Sequence, residues 1–211
     1  MRQTANSLLF YNYVHAHIYR SLVVDYVEHA FLENEAVVVY IYNDYKEHEA
    51  HSAVNLIGSL LQQVLRRKRV VSDEMIMLHR KHIDKGTRAT ISELSRILKT
   101  EIQNFSDIFI IIDAMDECDH ANGVRDLLLA ELSSLQEHSS TRLMVTSRFF
   151  AGLETEFCDA ACLEIRASDN DIKMYLEDRI CKVKRLVRYI KPDRELHEAI
   201  ITAIVNSAEG M

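Results

Sequence analysis

Glycine is scarce in this chain: five occur in 211 residues, at Gly58, Gly86, Gly123, Gly152 and Gly210, so none precedes position 58. Proline occurs once, at Pro192, and tryptophan not at all. This scarcity excludes a collagen-like or Gly/Pro-rich disordered chain. It also leaves the N-terminal stretch without the residue that lets backbone wrap closely around a ligand. Positive charge is in deficit as well: 25 Lys and Arg against 32 Asp and Glu leave a net charge of −7. That is the wrong sign for unassisted binding to a phosphate backbone, so no nucleic-acid partner is expected. The longest apolar runs, such as Ile108 to Ile112, are far too short to span a bilayer. The N-terminus also lacks a charged-then-apolar-then-small leader pattern, so neither membrane insertion nor export is expected. Four cysteines, Cys118, Cys158, Cys162 and Cys181, include no Cys-x-x-Cys pair, which fits reduced thiols in a cytoplasmic protein. What remains is an ordinary globular composition, 48% hydrophobic and 27% charged, enough for one domain with an appendage.

Hydrophobic periodicity then orders the chain. Val37 to Tyr42 is a β-branched and aromatic run that suits a strand buried on both faces. Ser52 is placed to cap a helix whose apolar positions Ala53, Leu56, Ile57, Leu60, Leu61, Val64 and Leu65 follow helical spacing. The basic run Arg66 to Arg69 closes that helix, where cations complement the helix dipole. Thr90-Ile-Ser-Glu93 has the capping-box pattern and opens a second amphipathic helix through Ile102. Ile108 to Ile112 reads as an apolar strand ending in Asp113. Helical spacing returns over 123 to 136, followed by a strand over Arg142 to Ser147 and another over Ala161 to Ile165. Strands alternating with helices predict a parallel sheet covered by helices on both faces, a three-layer α/β architecture. Beyond 167 the strands stop. Asp171 to Val187 and Arg194 to Val205 read as two helices, a C-terminal extension expected to be cut inside a helical subdomain.

The informative segment is Asp113-Ala-Met-Asp116-Glu117-Cys-Asp119, four acids at the C-terminal end of a buried strand. In open α/β sheets ligands sit at that edge. A carboxylate at the strand tip suits a hydrated Mg²⁺, which takes oxygen ligands and keeps several waters. A second acid three or four residues on suits orienting an attacking water. The next strand ends in Thr146-Ser147-Arg148, which puts two hydroxyls and a guanidinium at the same edge, where an arginine suits contact with a γ-phosphate. Acids in such a loop serve equally well as solvated residues that start the next helix.

Asp113-Ala-Met-Asp116-Glu117-Cys118 resembles the extended Walker B motif of fungal NACHT proteins, and Leu143 to Arg148 resembles their sensor-1 strand. Val38 to Tyr45 with the helix after it, Asp171 to Asp178 and Ala208-Glu-Gly-Met211 extend the likeness over nearly all of residues 21 to 211. The family is also described as similar to the N-terminal region of nephrocystin-3 and belongs to the signal-transducing ATPases with numerous domains. The resemblance implies a P-loop-NTPase-like fold, with residues 21–167 as the NTPase-like core and 168–211 as the start of a helical subdomain. It implies ATP or GTP and Mg²⁺ as cofactors, with Asp113 and Ser147 as cofactor-binding residues and Asp113 binding Mg²⁺ through water. Asp116 or Glu117 would position the hydrolytic water, and Arg148 would sense the terminal phosphate. It implies a switch between resting and assembled states, other protein domains or further copies of the chain as partners, and a link to non-self recognition.

The family also places Gly-x-x-x-x-Gly-Lys-Ser/Thr before the helix expected near Ser21, so that backbone N–H groups wrap the phosphates and the lysine reaches them. Here Tyr11-Asn-Tyr-Val-His-Ala-His-Ile-Tyr-Arg20 stands in its place, with no lysine before Lys46. Either Ser7 to Tyr11 is still the central first strand of a domain whose loop has decayed, or residues 1–20 are unrelated sequence. Both alternatives predict weakened nucleotide binding and little hydrolysis; a working ATPase or GTPase would need its loop on sequence outside the chain. His15 with His17, His79 with His82, and Cys118 with His120 do not assemble zinc-like spacing. Cys158 and Cys162 read as idle thiols.

Overall fold

The computed structural model describes residues 7–12, 16–31, 36–44, 52–68, 70–138, 140–150, 152–165, 168–190 and 193–208. Five strands, β1 (Ser7–Asn12), β2 (Ala36–Tyr42), β3 (Asp107–Asp113), β4 (Thr141–Ser147) and β5 (Ala161–Ile165), form one sheet in the order β2-β3-β4-β1-β5. The β2–β3, β3–β4 and β4–β1 pairs are parallel. Parallel neighbours need crossover connections, and the intervening helices α1 (Ala16–Ala30), α2 (Ala53–Arg67), α3 (Asp73–Lys85), α4 (Ile91–Ile102) and α5 (Val124–His138) supply them.

Both faces of β3 are apolar, so both must be covered. Ile108, Ile110 and Ile112 point to one face, where they pack with Ile57, Leu60 and Val64 of α2, Ile97 and Leu98 of α4, and Leu128 and Leu132 of α5. Phe109 and Ile111 point to the other, against Val24 and Val27 of α1. The three-layer α/β architecture expected from the alternation is therefore present. Each fully buried aliphatic side chain in this core contributes about 1.5–3 kcal/mol.

Local chemistry sets the helix ends. Ser52 accepts the Asn55 N–H at the start of α2, and Thr90 with Glu93 forms the reciprocal capping box of α4. The helix expected near Ser21 begins earlier, at Ala16. Helix α3 gave no sequence signal because its buried stripe is thin, with Leu78 as its buried residue. Ser72 caps its start, and Gly86 ends it in left-handed backbone (φ 60°), a conformation glycine adopts without steric cost. A short helix α6 (Leu153–Glu156) precedes β5.

The chain divides into two compact units, the first of residues 1–11 and 16–163, the second of 12–15 and 164–211. The described part of the second contains α7 (Asp169–Lys182), α8 (Lys184–Ile190) and α9 (Arg194–Ala208), packed around Ile180, Ile201 and Val205. The single helix expected over 171 to 187 is thus two. It breaks at β-branched Val183, which takes extended backbone (φ −93°, ψ 94°), a local choice that apolar spacing does not reveal. Among the described residues, no helix is long and apolar enough to cross a membrane.

Candidate functional site

The C-terminal ends of β3 and β4 converge, and the residues singled out there are built into one hydrogen-bonded edge. Asp113 ends β3 with 0% of its surface exposed. A buried carboxylate needs bonded partners to remain in place. The Thr146 hydroxyl, from the neighbouring end of β4, donates to Asp113 Oδ1 at 2.6 Å. The same hydroxyl accepts the Ala114 N–H at 3.0 Å, so one β4 side chain holds both the carboxylate and the backbone that follows it.

Ala114 is the hinge of this edge. Its backbone is left-handed (φ 53°, ψ 54°), a conformation that disfavours a residue with a Cβ and persists only where surrounding contacts enforce it. The reversal feeds a 3-10 turn over Met115–Glu117, anchored inward by fully buried Met115. That turn carries Asp116 back to the end of β4. Asp116 Oδ1 accepts the Arg148 N–H at 2.8 Å, and Oδ2 accepts from Arg148 Nε at 2.6 Å. The Ser147 hydroxyl lies 2.6 Å from the Arg148 carbonyl oxygen and 3.4 Å from Asp116 Oδ1, and its single proton serves the shorter contact. The structure therefore brings Asp113, Asp116, Ser147 and Arg148 together, with Glu117 half-buried in the same turn. The two residues assigned by resemblance to different ends of a reaction, Asp116 and Arg148, are bonded to each other.

Sequence reasoning missed Asn43, which follows β2. It donates its backbone N–H at 3.2 Å and its side-chain amide at 3.0 Å to the Asp113 carbonyl oxygen, fixing the third strand end to the edge. Asn43 Oδ1 is buried without a hydrogen-bond partner. Its signal was its position: Asn43-Asp44 directly follows an apolar run, as Asp113 does. Arg125 was missed too. It is buried on α5 with its guanidinium 4.0 Å from the centroid of the Phe150 ring, bracing the start of α5 against the segment after β4. Burial pushes the Cys118 thiol up to about 11, with nearby Asp119 and Asp126 adding to the shift and Arg125 opposing it. The thiol is therefore neutral at physiological pH and not a nucleophile.

The donor set at this edge is oxygen throughout, carboxylates, hydroxyls and the orphaned Asn43 amide oxygen, which suits a hard cation such as Mg²⁺. Between β1 and α1 stand three positions, 13–15, which carry neither the glycines nor the lysine of Gly-x-x-x-x-Gly-Lys-Ser/Thr. Of the two placements open for Ser7 to Tyr11, the structure contains the strand: Ser7 to Tyr11 of β1 register with Leu143 to Ser147 of β4.

The other candidates remain apart. Among the described residues, no three His, Cys, Asp or Glu side chains gather as a metal site. His15 lies outside the described residues. The His82 nitrogens contact Thr87 Oγ1 at 2.7 Å and Glu93 Oε2 at 3.1 Å, and His120 lies 3.5 Å from Asp126. Cys158 and Cys162 are exposed free thiols.

A sequence profile described as Nephrocystin 3, N-terminal matches residues 18–148, more than half of the chain. Comparison with curated proteins finds no match. Among solved structures the chain is similar to the ORC1 protein of Aeropyrum pernix in complex with DNA, with 15% identity and a TM-score of 0.50, over 86% of this chain and 44% of that one. It is also similar to a Walker-type ATPase of Pyrococcus abyssi, with 12% identity and a TM-score of 0.48, over 90% and 59% of the two chains. A third is PCH-2 of C. elegans, with 16% identity and a TM-score of 0.42, over 87% and 40%. The chain spans less than two thirds of the length of each. At these identities the likeness concerns the fold alone, a parallel α/β sheet.

Proposed function

Because the chain belongs to the Nephrocystin 3, N-terminal family and has a P-loop-ATPase-like fold, we propose that it is a cytoplasmic NACHT-type signalling module, of the kind fungi use in non-self recognition, with impaired nucleotide binding. The carrying observation is the contrast at one sheet edge: the acid and hydroxyl side is hydrogen-bonded together, whereas the three positions between β1 and α1 carry neither glycine nor lysine. Most phosphate contacts in such sites come from the glycine loop and the helix it opens, so its loss removes most of the affinity.

Asp113 would hold Mg²⁺ through water and Ser147 would contact the bound nucleotide, with Asn43 tied to the Asp113 backbone at the neighbouring strand end. A bound Mg²⁺ would supply neutralisation of phosphate charge. Asp116 binds Arg148 through both carboxylate oxygens, and Glu117, half-buried in the same turn, would orient water. With Arg148 held by Asp116 and no phosphate loop, the module is a poor hydrolase and acts through protein contacts, with other domains or with further copies of itself.

The test is titration of the purified chain with a fluorescent ATP analogue in Mg²⁺, beside Asp113→Asn. Weak binding that Asp113→Asn leaves unchanged is expected. Tight binding lost in Asp113→Asn would overturn the impaired-binding reading and favour an active ATP- or GTP-hydrolysing switch.

A further inference from the structure

Among the described residues, the outer edge of β2 is closed by side chains and not by a strand. β2 stands last in the sheet order, with β3 as its one neighbour among the described strands. Backbone groups of a strand alternate in direction, and Asn43 donates its N–H toward Asp113. Val37, Val39 and Ile41, in phase with Asn43, therefore face β3, while Val38 and Tyr40 face outward. At Tyr40 a single side chain of α2 takes both outward groups. Gln63 Oε1 accepts the Tyr40 N–H at 3.0 Å, and Gln63 Nε2 donates to the Tyr40 carbonyl oxygen at 2.8 Å. One primary amide thus reproduces the paired contacts that an added strand would make.

Gln63 belongs to a polar stripe on α2. Ser59, one turn before, accepts from the same Nε2 at 3.4 Å. Arg67, one turn after, forms an ion pair with Glu28 of α1 and so links the helices on the two faces of β2. A cavity of about 200 Å³ lies beside that pair, lined by Val27, Phe31, Ala36 and Val38 as well as by the pair itself.

The strand behind this barrier is Ala-Val-Val-Val-Tyr-Ile-Tyr, without charge, proline or glycine. Such an edge is prone to strand addition, and many proteins blunt it with a charge or proline on the strand itself. Here the blocking groups belong to a helix and leave by rotating side chains. An uncharged edge is also self-complementary about a two-fold axis, because antiparallel pairing with its own copy sets no like charges opposite each other.

We propose that the β2 edge is a latched pairing surface for a second copy of this chain, with Gln63 and Arg67 as the latch. When both side chains withdraw, β2 of one copy pairs antiparallel with β2 of the other, and Val38 and Tyr40 supply the outward rungs. The inference does not depend on nucleotide, so it stands or falls separately from the proposed function.

Sedimentation velocity over a concentration series tests it, comparing the wild type with Gln63→Ala/Arg67→Ala. The wild type should sediment as a monomer, and the double variant should double in mass as concentration rises. Adding Val38→Pro removes an outward N–H while sparing the β3 ladder, and should return the monomer. A folded double variant that stays monomeric, a dimer indifferent to Val38→Pro, or a wild type that dimerises as strongly as the variant would each overturn the proposal. Should the double variant lose its helical circular dichroism, Gln63→Glu/Arg67→Gln decides the question, because Glu at 63 keeps the acceptor for Tyr40 N–H but sets an oxygen against the Tyr40 carbonyl, and Gln at 67 breaks the ion pair with Glu28. Dimers of Gln63→Glu/Arg67→Gln support the latch, and a folded monomer refutes it.

Discussion

The two sides of the C-terminal sheet edge are finished to different degrees. On the β3–β4 side every polar group named above has a structural partner except the Asn43 amide oxygen: Thr146 holds Asp113, Asp116 holds Arg148, and Asn43 holds the Asp113 backbone. On the β1–α1 side the strand is registered with β4, but the sequence between strand and helix lacks the glycines and lysine that a phosphate requires. The difference teaches that the acidic edge is tied into the fold by its own hydrogen bonds. Its carboxylates are fastened by neighbouring side chains, whereas a phosphate loop consists mostly of backbone N–H groups that have a purpose only when an anion is present.

If folding alone sustains the acidic edge, the largest effect should come from its apolar support. Ile112→Ala, directly before Asp113 and fully buried, should cost about 2–5 kcal/mol in urea unfolding. Mg²⁺ with an ATP analogue should restore none of that loss, since a ligand stabilises only what it binds. Recovery would mean that the β1–α1 side binds after all. A smaller loss, about 1–3 kcal/mol, is expected for Thr146→Val, which leaves the Ala114 N–H and an Asp113 oxygen buried without the hydroxyl they share. A neutral result there would mean that the edge is not held by its hydrogen bonds.

The smallest effect sharpens the comparison from a distance. Glu93 is held down to about 2, first by its hydrogen bond from Lys81 and then by the Thr90 backbone N–H. A carboxylate lowered in the folded state stabilises fully above its unfolded value near 4.5, and that contribution is lost as pH falls through about 2. Melting temperature should therefore drop slightly more over that window in the wild type than in Glu93→Gln. The tryptic cleavage pattern around Arg148 should not differ between the two, because Glu93 braces α3 against α4 and does not touch the edge.

Much of this was legible in the sequence. The β3 and β4 strands, the Ser52 and Thr90 caps and the clustering of Asp113, Asp116, Ser147 and Arg148 follow from apolar runs, short-range capping patterns and the rule that ligand groups collect at strand ends. What was not legible depends on contacts distant in sequence. Asn43 reaches Asp113 across 70 positions, and Gln63 reaches Tyr40 across 23, so neither carries a local pattern. The pairing of Asp116 with Arg148 required the left-handed turn at Ala114, and no residue type at that position announces it. Helix α3 escaped because few of its residues are buried, and the break at Val183 because apolar spacing does not mark where the backbone turns extended.

The backbone of Ala114 has a consequence for how such a chain changes over generations. A left-handed residue between Asp113 and Met115 admits glycine, asparagine or, at some cost, alanine, and rejects β-branched replacements. Drift at this position is therefore filtered by foldability before any question of catalysis arises. The residues around Ala114 therefore constrain one another's replacement through backbone shape and shared hydrogen bonds.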